Sequence, residues 1–202
     1  MQVRGHGCDR ESDRPTPWVS PLVIASKPKQ PGGDNLCMDM CLPNKTIRRE
    51  RHLTPTMNDN IADLNGAQWF SKLDLNAGYH QLELVPACRY ITTFSTHIGL
   101  RRYCHLSFGM LSVAEVFQHT IHEVLSDLIG VLNVSDDILI FSKMLEGHHI
   151  RLRNMLQHLV ECGLTLHKEK YLFYKDSIDF FGYTFTREGL KVDSKKVSAI
   201  RA

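Results

Sequence analysis

Two adjacent aspartates, Asp136 and Asp137, lie between two short apolar runs of this chain, at 130–134 and 138–141. Runs of about four residues rich in Val, Ile and Leu predict buried strands. Ser135 and the two aspartates suit a turn, because short polar side chains hydrogen-bond their own backbone. The stretch therefore predicts a hairpin with acids at its tip. Such carboxylates repel each other and attract hard divalent cations, but this stretch alone favours an ordinary solvated acidic turn.

A third carboxylate, Asp74, ends an apolar and aromatic-rich run that begins at Trp69. If this run forms a strand beside the hairpin, the three carboxylates meet at one edge of a sheet. Paired metal ions held by such carboxylates activate an attacking oxygen and stabilise a leaving one in phosphoryl transfer. The sequence therefore predicts a two-metal constellation.

Helices and hairpins are predicted around these strands. Apolar residues recurring at three and four predict a helix over 111–128, with a buried stripe that backs the sheet. A second helix is predicted over 146–162, with inward-facing residues Ile150, Met155, Leu156 and Leu159. Further elements are expected as a short helix at 56–66, hairpins around 27–34 and 94–103, and an aromatic hairpin at 180–185.

Composition fits one globular domain with or without a subdomain, because 202 residues with 43% hydrophobic content can bury an ample core. The net charge of +2 is too small to argue for nucleic-acid binding, so any basic surface must be local. Six cysteines without a C-x-x-C pair predict reduced thiols and an intracellular location, cytoplasmic or nuclear. The His148-His149 pair is predicted to lie on a polar helix face. With no apolar run near 18 residues, no membrane span is predicted.

Residues 70–81, FSKLDLNAGYHQ, and the x-x-Asp-Asp hairpin resemble the reverse transcriptase domain of gypsy-like LTR retrotransposons and, more distantly, of retroviruses. The resemblance runs from about Pro15 to Ile200. It implies an α+β right-hand polymerase fold, with fingers and an antiparallel palm sheet backed by helices, and a truncated thumb. The implied boundaries are a disordered or foreign leader at 1–14, fingers and palm at 15–186, and the start of the thumb at 187–202.

The same resemblance implies the activity, an RNA-directed DNA polymerase that adds deoxynucleotides to a primer on an RNA or DNA template. Asp74, Asp136 and Asp137 would be both the catalytic residues and the ligands of two Mg²⁺ ions, with Mn²⁺ as a possible substitute. Asp137 would hold the ions more loosely than the other two.

Other residues match the family's nucleotide and primer motifs. Lys27 or Lys29 would hold the triphosphate, although a solvated turn is the plain alternative. Tyr79 would close the sugar pocket against a ribose 2′-hydroxyl, or else serve core packing. The resemblance implies that Phe108 and Gly109 form the loop beside the nucleotide. It implies that Phe181, Gly182 and Tyr183 form the primer grip.

Two positions depart from the family's pattern, since Asn35 and Cys41 stand where arginine is usual. Arginine binds phosphate through a planar fork that neither residue replaces. An alternative function therefore stays open: a catalytically inactive, decayed or domesticated remnant that keeps the fold and weak nucleic-acid binding. The basic run at 44–52 is either a solvated linker or a template contact.

Overall fold

The computed structural model describes residues 8–9, 16–26, 34–49 and 64–192. The chain divides into two compact units, one of residues 1–52 and 77–117 and the other of residues 53–76 and 118–202. In chain order the described strands are β1 Cys8–Asp9, β2 Leu22–Ser26, β3 Asp34–Met38, β4 Trp69–Asp74, β5 Thr93–Thr96, β6 Gly99–Tyr103, β7 Val131–Val134, β8 Asp137–Ser142, β9 Leu172–Lys175, β10 Ser177–Phe180, β11 Tyr183–Thr186 and β12 Gly189–Val192. The described α-helices are α1 Cys41–Asn44, α2 Val113–Leu125 and α3 Leu145–Glu161, and single-turn or short 3₁₀ helices cover Gly78–Gln81, Pro86–Thr92 and Lys168–Lys170.

A four-stranded antiparallel sheet in the order β7-β8-β4-β9 forms the centre of the second unit. Strand β8 lies inside this sheet, and Ile138, Leu139 and Ile140 in it are completely buried. A run of consecutive apolar residues fits this position, because both faces of the strand are covered. The predicted hairpin and the predicted neighbouring strand are both confirmed, and Asp74 lies opposite Asp137 in the register.

The core of the second unit packs one face of this sheet against a second, three-stranded sheet in the order β10-β11-β12. Phe70 of β4, Phe141 of β8 and Phe180 and Phe185 of the second sheet belong to one buried cluster. Burying each such side chain contributes about 1.5–3 kcal/mol. The aromatic hairpin predicted at 180–185 is thus confirmed. The second sheet continues past the predicted palm boundary at 186, since β12 pairs with β11.

Helix α2 is shorter than predicted, covering Val113–Leu125 instead of 111–128. Its buried stripe is Phe117, Ile121 and Leu125, at the predicted spacing. Leu111 precedes the helix in a turn and is 44% exposed. The spacing of the apolar residues therefore predicts the helix at the right place, but the predicted helix is too long at both ends.

Helix α3 buries Met155 and Leu159 as predicted, but the rest of its inward face differs from the prediction. Its buried residues are His148, Leu152, Met155 and Leu159, at a spacing of four, three and four. The inward position predicted for Ile150 is wrong, because its side chain is 59% exposed. The polar-face position predicted for His148 is also wrong, because His148 lies on the buried stripe and is completely inaccessible. The helix ends before Gly163, whose φ of +71° fits the predicted C-terminal stop.

The first unit contains the β2-β3 hairpin and a three-stranded sheet in the order β1-β6-β5. The strand–turn–strand predicted over 94–103 is confirmed by β5 and β6. Met38, Met40, Phe94 and Tyr103 form the buried cluster of this unit. Cys8–Asp9 pairs with β6, so these two residues of the predicted leader are ordered into a strand.

Several predictions fall outside the described residues: the rest of the 1–14 leader, the turn with Lys27 and Lys29, most of the 56–66 helix, and residues 193–202. Cys37, Cys41, Cys88, Cys104 and Cys162 are free thiols. Within the described parts of the chain, no helix combines the length and apolar character that crossing a bilayer requires.

Candidate active site

The turn between β7 and β8 presents the paired aspartates. Val134 pairs with Asp137 and closes a two-residue turn of Ser135 and Asp136, with Ser135 in the left-handed region at φ +55°. The buried amide of Gln118 holds this turn: its Oε1 accepts the Ser135 N–H at 2.5 Å, and its Nε2 donates to the Asn133 carbonyl at 3.3 Å. A side chain from α2 therefore fixes the backbone conformation that aims Asp136.

Strand β4 brings the third aspartate to the same end of the sheet. Asp74 and Asp137 are directly opposed Cα partners, and the Leu75 N–H donates to the Asp136 carbonyl at 2.8 Å. The sequence predicts that the three carboxylates meet at one edge if the two strands lie side by side. The structure has the strands in this arrangement. Asp74 is the most buried of the three, at 7% exposure.

Two of these carboxylates form ion pairs with lysines. The Lys170 ammonium lies 3.0 Å and 2.9 Å from the two oxygens of Asp74. This hydrogen bond to Asp74, reinforced by the charges of Asp136 and Asp137, raises the pKa of Lys170. Lys170 therefore stays cationic and balances part of the negative charge at the sheet end.

Asp137 is balanced by Lys72, whose ammonium lies 3.1 Å away. Burial raises the pKa of the Asp137 carboxyl, Lys72 opposes this shift, and the charges of Asp136 and Asp74 add to it. Lys72 also lies 5.6 Å from the centroid of the Phe180 ring. Phe180 ends β10, so one lysine connects the aromatic hairpin to the acidic hairpin.

Within the described residues, no group of three or more acidic, histidine or cysteine side chains is arranged to hold a metal ion. The donor chemistry nevertheless suits Mg²⁺ or Mn²⁺, since both prefer carboxylate oxygens. A cleft of about 430 Å³ gives access to Asp74 and Asp137 and is also lined by Lys72 and Lys170. Lysine ammonium groups already lie against two of the three carboxylates, so a divalent ion bound at Asp74 or Asp137 would take the place of an ammonium group.

The predicted primer grip lies at the turn between β10 and β11. Phe181 and Gly182 both adopt left-handed conformations, at φ +49° and +80°. Phe181 is 41% exposed, whereas Tyr183 is half-buried beside Phe185. The turn therefore presents one aromatic ring to solvent and anchors the hairpin with the others.

In the first unit, Tyr79 makes edge-to-face contacts with Phe108 and Phe117, at ring-centroid distances of 5.0 Å and 5.1 Å. Such pairs contribute about 0.5–1.5 kcal/mol beyond their buried area. The contacts fix the Tyr79 ring while leaving it partly exposed. Both interpretations of Tyr79, sugar discrimination and packing, remain compatible with this environment.

The loop with Phe108 and Gly109 is fixed from two sides. Gly109 has φ +98°, and a Cβ built there would lie 3.0 Å from the Met38 carbonyl, so another residue would strain the loop. The Asn44 side chain donates to the Gly109 carbonyl at 2.8 Å and accepts the Leu111 N–H at 2.9 Å. The sequence predicts a solvated linker or a template contact for the basic run that contains Asn44, and no local pattern indicates this role in the loop.

Comparison with solved structures shows the fold. The chain is similar to the foamy viral protease–reverse transcriptase solved with double-stranded DNA, with a TM-score of 0.82 and 20% identity over 93% of this chain and 33% of that one. The same viral protein solved with an RNA/DNA hybrid gives a TM-score of 0.80 and 18% identity, covering 96% of this chain and 26% of that one. The α+β fold with palm and fingers is thereby confirmed.

Sequence comparison shows the family. The family model described as reverse transcriptase (RNA-dependent DNA polymerase) matches residues 26–185. The chain belongs to this family, and it is similar to the reverse transcriptase domains of LTR-retrotransposon polyproteins.

Two such relatives come from Drosophila melanogaster. The Pol polyprotein of transposon gypsy is 30% identical over 92% of this chain, and that of transposon opus is 32% identical over 92%. A Schizosaccharomyces pombe transposon Tf2-3 polyprotein is 26% identical over 85% of this chain and 13% of its own length. The chain spans about a fifth, 19%, of the length of each Drosophila relative.

Proposed function

We propose that this chain is the fingers-and-palm part, residues 15–186, of an RNA-directed DNA polymerase that extends a primer 3′-hydroxyl with deoxynucleotides. One observation carries the proposal. Asp74 lies opposite Asp137 where β4 ends and β8 begins, and Asp136 occupies the adjoining turn. Rigid strands hold carboxylates better than loops do, as a transition state with developing charge requires.

Asp74, Asp136 and Asp137 would hold the divalent ions. Bound there, such ions lower the pKa of an attacking hydroxyl and neutralise charge on a triphosphate. Asp137 would contribute the least, because Lys72 already neutralises part of its charge and burial raises its pKa. Gln118 would keep Asp136 in place through the turn.

The remaining site residues are assigned by motif position, with local support. Tyr79, Phe108 and Gly109 would contact the incoming nucleotide, since their ring contacts and tight backbone make a fixed surface. Phe181, Gly182 and Tyr183 would grip the primer, because their turn presents an exposed ring and a backbone that no Cβ covers at Gly182. Lys27 and Lys29, outside the described residues, would hold the triphosphate.

The partners would be an RNA or DNA template with its primer, and deoxynucleoside triphosphates. Support for the duplex comes from the foamy viral relatives, which were solved with double-stranded DNA and with an RNA/DNA hybrid. An intracellular site of action is proposed with them, since exposed thiols such as Cys41 and Cys162 stay reduced there.

A second candidate function is an inactive remnant that keeps the fold and weak nucleic-acid binding. The observation that favours it is the environment of Cys41. This exposed residue hydrogen-bonds to Asp39, an acid, at a position where the family usually carries a phosphate-binding arginine. A side-chain hydrogen bond to Asp39, together with the charge of that acid, raises the pKa of the Cys41 thiol. A neutral thiol offers a phosphate no positive charge.

Extension of a labelled DNA primer on an RNA template, with Mg²⁺ or Mn²⁺, tests the proposal. Asp136→Asn should abolish extension while leaving the thermal melting curve intact. Asp127→Asn, which removes a carboxylate from an exposed position, is the matched control and should be fully active. Activity retained in pure Asp136→Asn protein would exclude the assigned site. An inactive wild-type chain that still binds primer–template would instead support the remnant.

A further inference from the structure

The two lysines beside the carboxylates engage them differently. Lys170 binds both oxygens of Asp74, at 3.0 Å and 2.9 Å. Lys72 makes an ion pair with one oxygen of Asp137 at 3.1 Å. The carboxylate with the deepest position in the site therefore has both of its oxygens covered by a cation that belongs to the protein.

The Lys170 ammonium can move away from Asp74, because the side chain is 55% exposed and carries this group on a flexible four-carbon stem. Its backbone is anchored independently of this ion pair. The Lys170 N–H donates to the His167 carbonyl at 3.1 Å, and the His167 N–H donates to the Asp74 carbonyl at 2.8 Å. The segment would thus stay attached to β4 when the ammonium moves away.

Lys72 lacks this freedom. It lies within β4, its side chain is only 23% exposed, and the Phe180 ring faces its ammonium at 5.6 Å. Withdrawing it would also leave the half-buried Asp137 without its counter-ion. The Lys170 ammonium can therefore be replaced at Asp74, whereas the Lys72 ammonium is held permanently at Asp137.

We propose that Lys170 is a displaceable counter-ion of Asp74: it neutralises this carboxylate when no divalent ion is bound and swings away when an ion takes the carboxylate, while Lys72 remains on Asp137. The inference rests on the proposed function, because it requires Asp74 to be a metal ligand. Its consequence is that Lys170 opposes metal binding. The site then has a lower affinity for free divalent ions than its three carboxylates would give alone.

Direct titration of the chain with Mn²⁺, followed by electron paramagnetic resonance of the free ion, tests this without any activity measurement. Lys170→Met keeps an unbranched side chain one atom shorter and removes its charge, so its Kd for Mn²⁺ should fall by roughly threefold to tenfold. Lys170→Arg should keep the weak affinity of the wild type. Lys191→Met removes the same charge from a lysine that pairs with Glu188 instead, and it should shift the Kd by less than about twofold.

The outcomes separate the two proposals. If Asp74→Asn weakens Mn²⁺ binding but Lys170→Met does not tighten it, the counter-ion role is wrong and the metal site stands. If Asp74→Asn binds as the wild type does, the metal site fails and the counter-ion role fails with it. Equal gains from Lys170→Met and Lys191→Met would also contradict the role, since they indicate a general charge effect. Lys170→Gln replaces the methionine variant if circular dichroism shows that the latter is unfolded.

Discussion

The imidazole of His148 lies 2.7 Å from the hydroxyl of Ser71, on the strand that ends at Asp74. The Ser71 hydroxyl also accepts the Tyr174 N–H at 3.2 Å. One buried serine, three residues before Asp74, therefore joins α3, β4 and β9. Burial, with the nearby charge of Arg151, lowers the pKa of His148 to about 4, so the imidazole is neutral at physiological pH.

Protonation of His148 should destabilise the fold in mildly acidic solution. The pKa is about 4 in the folded chain and about 6.5 in an unfolded one. The unfolded state therefore binds the proton first, and stability is lost as the pH falls from about 6.5 towards 4, by up to about 3 kcal/mol. His148→Gln should flatten this part of the pH profile of the free energy of unfolding, measured by urea denaturation.

His149→Gln is the control for this profile, because the neighbouring imidazole is exposed and contacts Tyr174 at the surface. Its urea midpoints should follow those of the wild type at every pH. The assignment of the acid sensitivity to His148 fails if His148→Gln and the wild type lose stability in parallel between these pH values.

Local signals explain why the acidic hairpin was predictable from sequence. Two short apolar runs around Ser135, Asp136 and Asp137 suit only a tight turn between strands, and the structure has that turn. The position of Asp74 followed once its strand was assumed to lie alongside, as it does. The fold was predictable because these two motifs resemble those of the reverse transcriptase family.

Partners that lie far away in sequence were not predictable. Lys170 is 96 residues from Asp74, and His148 is 77 residues from Ser71. His148 looks like a surface residue because histidine is polar, and the buried hydroxyl of Ser71 on β4 makes its inward position tolerable. The lysines were missed for the same reason, since nothing near them in sequence indicates which carboxylate they approach.

Gln118 should prove important for the acidic turn. Gln118→Ala leaves the Ser135 N–H and the Asn133 carbonyl without the partner they have in the folded chain. Losing a buried hydrogen-bond partner costs about 1–3 kcal/mol. The variant should unfold at lower urea concentration and extend primers more slowly, because Asp136 is no longer held in one orientation.

The matched control is Gln157→Ala on the exposed face of α3, where the amide donates to Glu161 one turn along the helix. It should change stability by less than about 0.5 kcal/mol. Equal losses in the two variants would mean that Gln118 acts as an ordinary helix residue and has no special role at the turn.

Tyr79 should discriminate between sugars. Tyr79→Ala removes a ring that Phe108 and Phe117 hold in place, and the space gained should admit a 2′-hydroxyl. Ribonucleotide incorporation should therefore rise relative to deoxynucleotide incorporation in single-nucleotide extension assays. Tyr79→Phe keeps the ring and should keep the wild-type ratio. An unchanged ratio in Tyr79→Ala, together with lowered stability, would assign the residue to packing alone.

Restoring arginine in the fingers should improve nucleotide binding. Cys41 is exposed at the start of α1, and Asn35 lies on β3 opposite Ala25. Each charge-assisted contact to a phosphate contributes about 1.5–3 kcal/mol. The double variant Asn35→Arg and Cys41→Arg should therefore lower the KM for deoxynucleotides by at least about tenfold, with a smaller effect on the Kd for primer–template.

Leu42→Arg controls for charge alone, since this neighbour is 62% exposed and adds the same cation one residue further along. It should leave the KM for deoxynucleotides nearly unchanged, because a side chain one position away on α1 points in a different direction. If Leu42→Arg lowers the KM equally, the lower KM of the double variant reflects general attraction between added positive charge and the triphosphate. If the double variant changes neither constant, the two positions do not bind phosphate, and the departures from arginine do not limit nucleotide binding.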